Sequence, residues 1–248
     1  MIDFSATQWV LFVFAVLVAF AVRGGAGFGG GVVAVPMLAL IAPLQVVVPL
    51  TSALNTVAAI GQGFRDWRKV AWREMARILP SALVGVVVGI FFLTNIDSKP
   101  LSRGFGLFVV LYAIYTFVYK GKTGEIPQRW LTPVAAAMSL FAGVVGSVFG
   151  GAAGPVFAMY LNSLKVEKEC FRATMTMLML TLGTTRFVGF FLVGMYTQKV
   201  LLLLAVAIPL SYLGGYLGNR VAQRVNQQTF GNMVCAVLLV SGVLLMLK

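Results

Sequence analysis

The sequence predicts an all-α polytopic membrane protein built from two copies of one unit, and three observations carry that prediction. First, 60% of the 248 residues are hydrophobic and only 10% are charged, with apolar runs recurring along the whole length. A soluble domain has no interior large enough to hide that much apolar surface. Second, Gly25-Ala26-Gly27-Phe28-Gly29-Gly30 returns 121 positions later as Gly146-Ser147-Val148-Phe149-Gly150-Gly151, each closing an apolar run. Third, Pro80 with Gly85 and Gly89 lines up with Pro209, Gly214 and Gly218 at an offset of 129. Two matches in the same order mark a duplication, in which residues 1–120 form a first membrane repeat and 121–248 a second, within one integral membrane domain. The change of offset leaves about eight extra residues between the motifs of the second copy.

Apolar runs between charged punctuation give five segments per half. They cover roughly 9–22, 32–48, 49–64, 78–96 and 104–119 in the first, and 132–149, 155–164, 173–198, 200–218 and 230–247 in the second. None alternates with period two as the strands of an outer-membrane barrel do. The opening run resembles a signal-peptide core, but Asp3 and no Lys or Arg precede it, and its counterpart near 135–146 is internal. The second segment of each half, interrupted or opened by Pro36, Pro43 and Pro155, falls short of the roughly 20 residues a crossing needs. Such segments are half-helices or re-entrant hairpins. Irregular backbone at membrane depth survives only where protein or a polar cavity covers it, which singles out the glycine turns as a candidate site. Gly85-xxx-Gly89 and Gly214-xxx-Gly218, in the fourth segments, read as helix-packing surfaces.

Basic loops set the orientation. Arg65, Arg68, Lys69, Arg73 and Arg77 are opposed only by Asp66 and Glu74, so the loop after the third segment is cytoplasmic, with Trp67 and Trp72 at its interface. Counting onward, the loops with Lys120, Lys122 and Arg129, with Lys165, Lys168 and Arg172, and with Arg220 and Arg224 also fall inside when each half has five segments. The two halves are then inverted relative to each other. The loop at 165–172 fits least well, because Glu167 and Glu169 accompany its basic residues. The net charge of +12 is explained by such loops lying beside anionic lipid, and no nucleic-acid partner is expected.

Between Arg172 and Lys199 the only charge is Arg186, with 13 uncharged residues before it and 12 after. On one continuous helix its Cα lies about 20 Å from either end. None of the seven acids, Asp3, Asp66, Glu74, Asp97, Glu125, Glu167 and Glu169, falls within a span, so its partner is a set of backbone carbonyls, water or a bound anion. The missing acids, and the absence of any histidine, also argue against a cation carrier, a metal site or a cofactor. Cys170 and Cys235 form no CxxC pair. No nucleophile, base and orienting group occur together, so no enzyme is expected.

An anion also finds exposed N–H groups at the start of a short helix, where the macrodipole is positive. Gly29, Gly30 and Gly31 precede Val32, and Gly150, Gly151 and Gly154 precede Pro155; close helix packing is the competing reading of these glycines. In the polar third segments, Asn55 needs a partner for its amide among Ala53, Leu54 and Val57, and Thr185 adjoins Arg186, although Thr hydroxyls often bond only to their own helix. At an offset of 121 Arg186 pairs with Arg65. Arg23, closing the first run, reads as an interfacial anchor in preference to a guard of the glycine turn.

These motifs resemble the TauE/SafE family of sulfite exporters. The resemblance rests on Phe28-Gly29-Gly30-Gly31-Val32-Val33-Ala34-Val35-Pro36, on Phe171-Arg172-Ala173-Thr174 and on the paired Pro-xxxx-Gly-xxx-Gly helices, and it covers nearly the whole chain. The second turn, Gly150-Gly151-Ala152-Ala153-Gly154, departs from the family's Gly-x-Gly-Gly. The resemblance implies a secondary carrier of a sulfite, sulfonate or related organic anion across a prokaryotic cytoplasmic (inner) membrane. The expected site is Arg186, Gly29, Gly30, Gly31, Asn55, Gly150, Gly151 and Thr185, with a small anion and the lipid bilayer as partners. Proton-coupled uptake and a non-transporting assembly factor are the alternatives. The coupling force, proton or membrane potential, and homo-oligomer formation stay open.

Overall fold

A computed structural model describes residues 5–26, 30–65, 67–119, 131–150, 153–164, 166–222 and 239–244, the side chains of 26, 61–65, 112–119, 131, 155, 168 and 222 excepted. The chain is helical throughout these residues: α1 Ala6–Ala26, α2 Gly30–Ala39, α3 Leu44–Arg65, α4 Trp72–Asn95, α5 Ser98–Tyr119, α6 Leu131–Val148, α7 Gly154–Ser163, α8 Lys168–Leu192 and α9 Gln198–Ala222. A single 3-10 turn, Trp67–Lys69, joins α3 to α4. The tenth expected segment lies mostly outside the described residues; 239–244 is helical, with Gly242 close to Gly106 and Val109 of α5.

Four described helices, α1, α4, α8 and α9, are long and apolar enough to cross a bilayer. Outward-facing Val87 and Phe91 on α4, and Leu201 and Tyr212 on α9, give them the apolar exterior that lipid requires. α2 and α7 have ten residues each, about 15 Å at 1.5 Å per residue, which is half a hydrocarbon core of about 30 Å.

The segment boundaries differ from expectation in two places. The second segment ends at Ala39 rather than 48, and residues 44–48 belong to α3. Pro43 directly precedes Leu44, where a ring without an N–H starts a helix at no cost. The eighth segment ends at Leu192 rather than 198. Gly194 takes φ +76°, its N–H bonds to the Phe191 carbonyl at 3.0 Å and the Met195 N–H to the Phe190 carbonyl at 2.9 Å, which is the Schellman stop that a left-handed glycine provides. Arg186 therefore lies about 9 Å from the C-terminal end of α8 and about 27 Å from its N-terminal end, not at its middle.

Chain directions follow from bonds at the two faces. At the basic face Lys69 pairs with Glu169 at 2.6 Å, the Ala71 N–H donates to Thr174 Oγ1 at 2.9 Å, and Tyr160 OH donates to Glu74 at 2.8 Å. The loop at 165–172 thus shares a face with the loop after α3, and Glu169 has a basic partner there. At the far face Tyr196 OH donates to the Pro49 carbonyl at 3.3 Å, and Gln45 to the Ile96 carbonyl at 3.2 Å. α3 and α8 consequently run antiparallel, crossing where a Cβ on Gly183 would sit 2.6 Å from Thr56 Oγ1.

α6 runs parallel to α4, Gly85 lying against Leu140 and Gly143, and Gly89 against Val144 and Ser147. α7 then brings Tyr160 back to the N-terminal end of α4, so α6 and α7 form a hairpin opening on the basic face. α1 and α2 form the other hairpin; α2 leads into α3 at the far face, so this one opens on the opposite side. Gly214 and Gly218 of α9 lie against Leu17 and Ala21 of α1, also in parallel. The pairings α1 with α9, α4 with α6, α3 with α9 and α4 with α8 interchange when α1–α4 are swapped with α6–α9.

Candidate functional site

The two hairpins meet tip to tip. A Cβ on Gly31, in the first turn of α2, would collide with the Gly150 carbonyl oxygen and lie 3.0 Å from Asn55 Nδ2. Gly150 in turn has φ +61° and packs against Thr51 and Val35, leaving no room for any side chain. Gly30 faces Asn55 Oδ1 and the Arg23 side chain. Gly30, Gly31 and Gly150 thus take part in close packing at this point. α7 begins without a side-chain cap at Ala153, whose Cβ would lie 2.9 Å from one built on Gly146.

Arg186 is 2% exposed. Its Nη1 donates to the Gly146 carbonyl at 2.6 Å and its Nε to the Leu182 carbonyl of its own helix at 3.2 Å. Helical side chains lean toward the N-terminus, so the guanidinium lies about a turn deeper than its Cα, on the last turn of α6, where orphan carbonyls carry the negative end of the dipole. Of the three partners left open by the sequence, backbone carbonyls are present in this conformation. The two bonds engage two of its five N–H groups.

Arg23 departs from its reading as an interfacial anchor: it is 6% exposed, and its Nη1 donates to Asn55 Oδ1 at 2.6 Å. α1 continues three residues beyond it to Ala26, and the returning α2 covers it. Arg23 and Arg186 are the buried charged residues of the described structure, and no Asp or Glu is buried with them. Ser52 and Ser147, each one residue from a member of the cluster, bury hydroxyls with no partner.

Of the expected site residues, Gly30, Gly31, Asn55 and Gly150 come together at the crossing, and Arg186 joins them through Gly146, one turn before Gly150. Gly29 and Gly151 lie outside the described residues. Thr185 donates to the Thr181 carbonyl at 2.9 Å, as Thr51, Thr56, Thr181 and Thr184 do within their own helices. Arg65 ends α3, its side chain outside the described set. Asn55, Thr51 and both arginines are buried, so the crossing is closed to both faces. A small crevice lies between α1, α2, α3 and α9, but Phe12, Leu38, Leu50 and other apolar side chains line it, and none of them would hold a charge.

Two half-length helices that carry glycine turns to a shared, cationic centre inside a bundle of spanning helices define a multi-pass membrane transporter. The chain belongs to the sulfite exporter TauE/SafE family, whose profile matches residues 11–245. It is similar to a probable inner membrane transporter protein TsaS of Comamonas testosteroni, with 23% identity over 78% of this chain and 80% of the relative. It is also similar to a probable sulfite/organosulfonate exporter TauE of Cupriavidus necator, with 27% identity over 89% and 87%. No solved structure gives a significant match. The protein is accordingly a multi-pass protein of the inner membrane.

Proposed function

We propose that the protein is a secondary carrier that exports a small sulfur-containing anion, sulfite or an organosulfonate, with its site at the crossing of the two glycine hairpins. The observation that carries this reading is Arg186, a full positive charge 2% exposed whose described hydrogen bonds go to neutral carbonyls. A buried guanidinium without an acid is costly, and a bound oxyanion offsets that cost through charge-assisted, bidentate bonds. The glycine turns add backbone N–H groups at two short-helix starts, and the name of the Cupriavidus relative supports the substrate class and the outward direction.

The two halves act as inverted repeats, a reading supported by antiparallel α3 and α8 and by the interchangeable helix pairings. Rocking one half against the other opens the closed crossing to each face in turn. In proteoliposomes loaded with sulfite, Arg186→Ala should abolish efflux and Arg186→Lys should restore little of it, because an ammonium cannot reproduce the planar fork. Full efflux by Arg186→Ala would refute the assignment.

A further inference from the structure

We infer that the site holds two negative charges, with Arg23 as its second cation, so that the transported species is a dianion: a single doubly charged oxyanion or a molecule with two anionic heads. This rests on the carrier reading above and deepens it.

Arg23 and Arg186 reach the same crossing from opposite halves. The Arg23 side chain and Asn55 Oδ1 both press on Gly30, Asn55 Nδ2 presses on Gly31, and Gly31 presses on the Gly150 carbonyl, one helical turn beyond the Gly146 carbonyl that Arg186 holds. The two guanidiniums therefore border the crossing from opposite sides of the Gly31–Gly150 contact. Neither has a buried acid beside it, so the described interior carries two uncompensated positive charges.

The identity of residue 55 carries the point further. A carboxylate at this position would pair with the guanidinium and cancel its charge. Asn55 has nearly the shape of aspartate and makes the same 2.6 Å contact, yet it leaves the charge of Arg23 intact. It fixes where the guanidinium points without cancelling what it offers. Asn55 is thus a positioning residue, and Arg23 is the group that meets the anion.

The test is ligand-induced thermal stabilisation of the purified full chain in detergent at neutral pH, titrated with sulfite, sulfate, sulfoacetate and methanesulfonate. Wild-type protein should respond to at least one dianion at concentrations about tenfold or more below those needed for the monoanion methanesulfonate. Sulfate or sulfite giving the stronger response assigns both charges to one group, and sulfoacetate giving it assigns two heads. Asn55→Asp neutralises Arg23 in place and should erase the dianion preference, weakening the response to dianions about tenfold more than the response to methanesulfonate. Should that variant fail to fold, Arg23→Gln carries the same expectation. Equal responses to mono- and dianions in the wild type, or an unchanged ratio in the variants, would overturn the two-charge site and leave the carrier reading standing. No response to any of the four anions would sink the carrier reading itself.

Discussion

The two glycine hairpins solve the same problem with different parts. In the first, the arginine belongs to the hairpin arm α1 and is held by a side chain, Asn55 of α3. In the second, the arginine comes from outside, on α8, and is held by the hairpin's own backbone at Gly146. A side-chain partner can be exchanged by one substitution, whereas a carbonyl cannot. The first half is therefore where charge can be tuned, and the second is where geometry is rigid. The backbone agrees: Gly150 sits at φ +61°, while Gly31 lies in ordinary helix.

That contrast makes Gly150→Ala and Gly31→Ala the most damaging changes at the crossing, for different reasons. In Gly150→Ala the new methyl would combine a left-handed backbone penalty with collisions at Thr51 and Val35, on the order of 3 kcal/mol or more together. Gly31→Ala carries no such backbone penalty, but its methyl would fall on the Gly150 carbonyl backbone and against the Asn55 amide, and it should cost about as much. Thermal melting of both variants checks this, and a melting temperature near that of the wild type for either one would break the claim that the two turns meet without spare room.

The interfaces beside the hairpins offer a second contrast. On α9, a Cβ at Gly218 would fall on the Ala21 backbone of α1; on α4, a Cβ at Gly89 would lie 2.7 Å from Ser147 Cβ and the Val144 carbonyl. Backbone is met at both sites, but the approach at Gly218 is the closer. Gly218→Ala should destabilise by about 2–3 kcal/mol and Gly89→Ala by about 1 kcal/mol less. Equal melting temperatures would show that the two interfaces are equally compliant.

Much of this was legible beforehand because bilayer physics is strict. The short second segments announced themselves through Pro36, Pro43 and Pro155, and Arg186 stood out because no acid shared its span. Arg23 was misread because a basic residue closing an apolar run has the pattern of an interfacial anchor; only the return of α2 buries it. The small residues Gly24-Gly25-Ala26 after it were the available signal that this end of α1 is closely packed, as Gly24 is against the Gly215 backbone of α9. The end of α8 was missed for a simpler reason: Val193-Gly194 carries a helix stop, but it lies inside an uncharged run where charge punctuation is silent. The meeting of Gly31 with Gly150 spans 119 positions of chain, and local pattern does not encode it.

The two membrane faces differ in how the halves are tied, and this sets the smallest expected effects. At the far face Tyr196 donates to the Pro49 carbonyl at 3.3 Å and its ring lies 4.9 Å from that of Phe187. Tyr196→Phe keeps the ring contact and removes one long hydrogen bond, for a loss of about 1 kcal/mol or less in thermal melting. At the basic face the Lys69–Glu169 pair is short but lies in the open, both side chains more than half exposed. Solvent and salt screen such a pair, and fixing two flexible side chains offsets most of what attraction remains. Glu169→Ala should leave the melting temperature unchanged within error at physiological salt, because the Ala71–Thr174 and Tyr160–Glu74 bonds still hold this face together. A clear drop in melting temperature for Glu169→Ala would mean that the basic face depends on this exposed ion pair, reversing the ranking of the two faces.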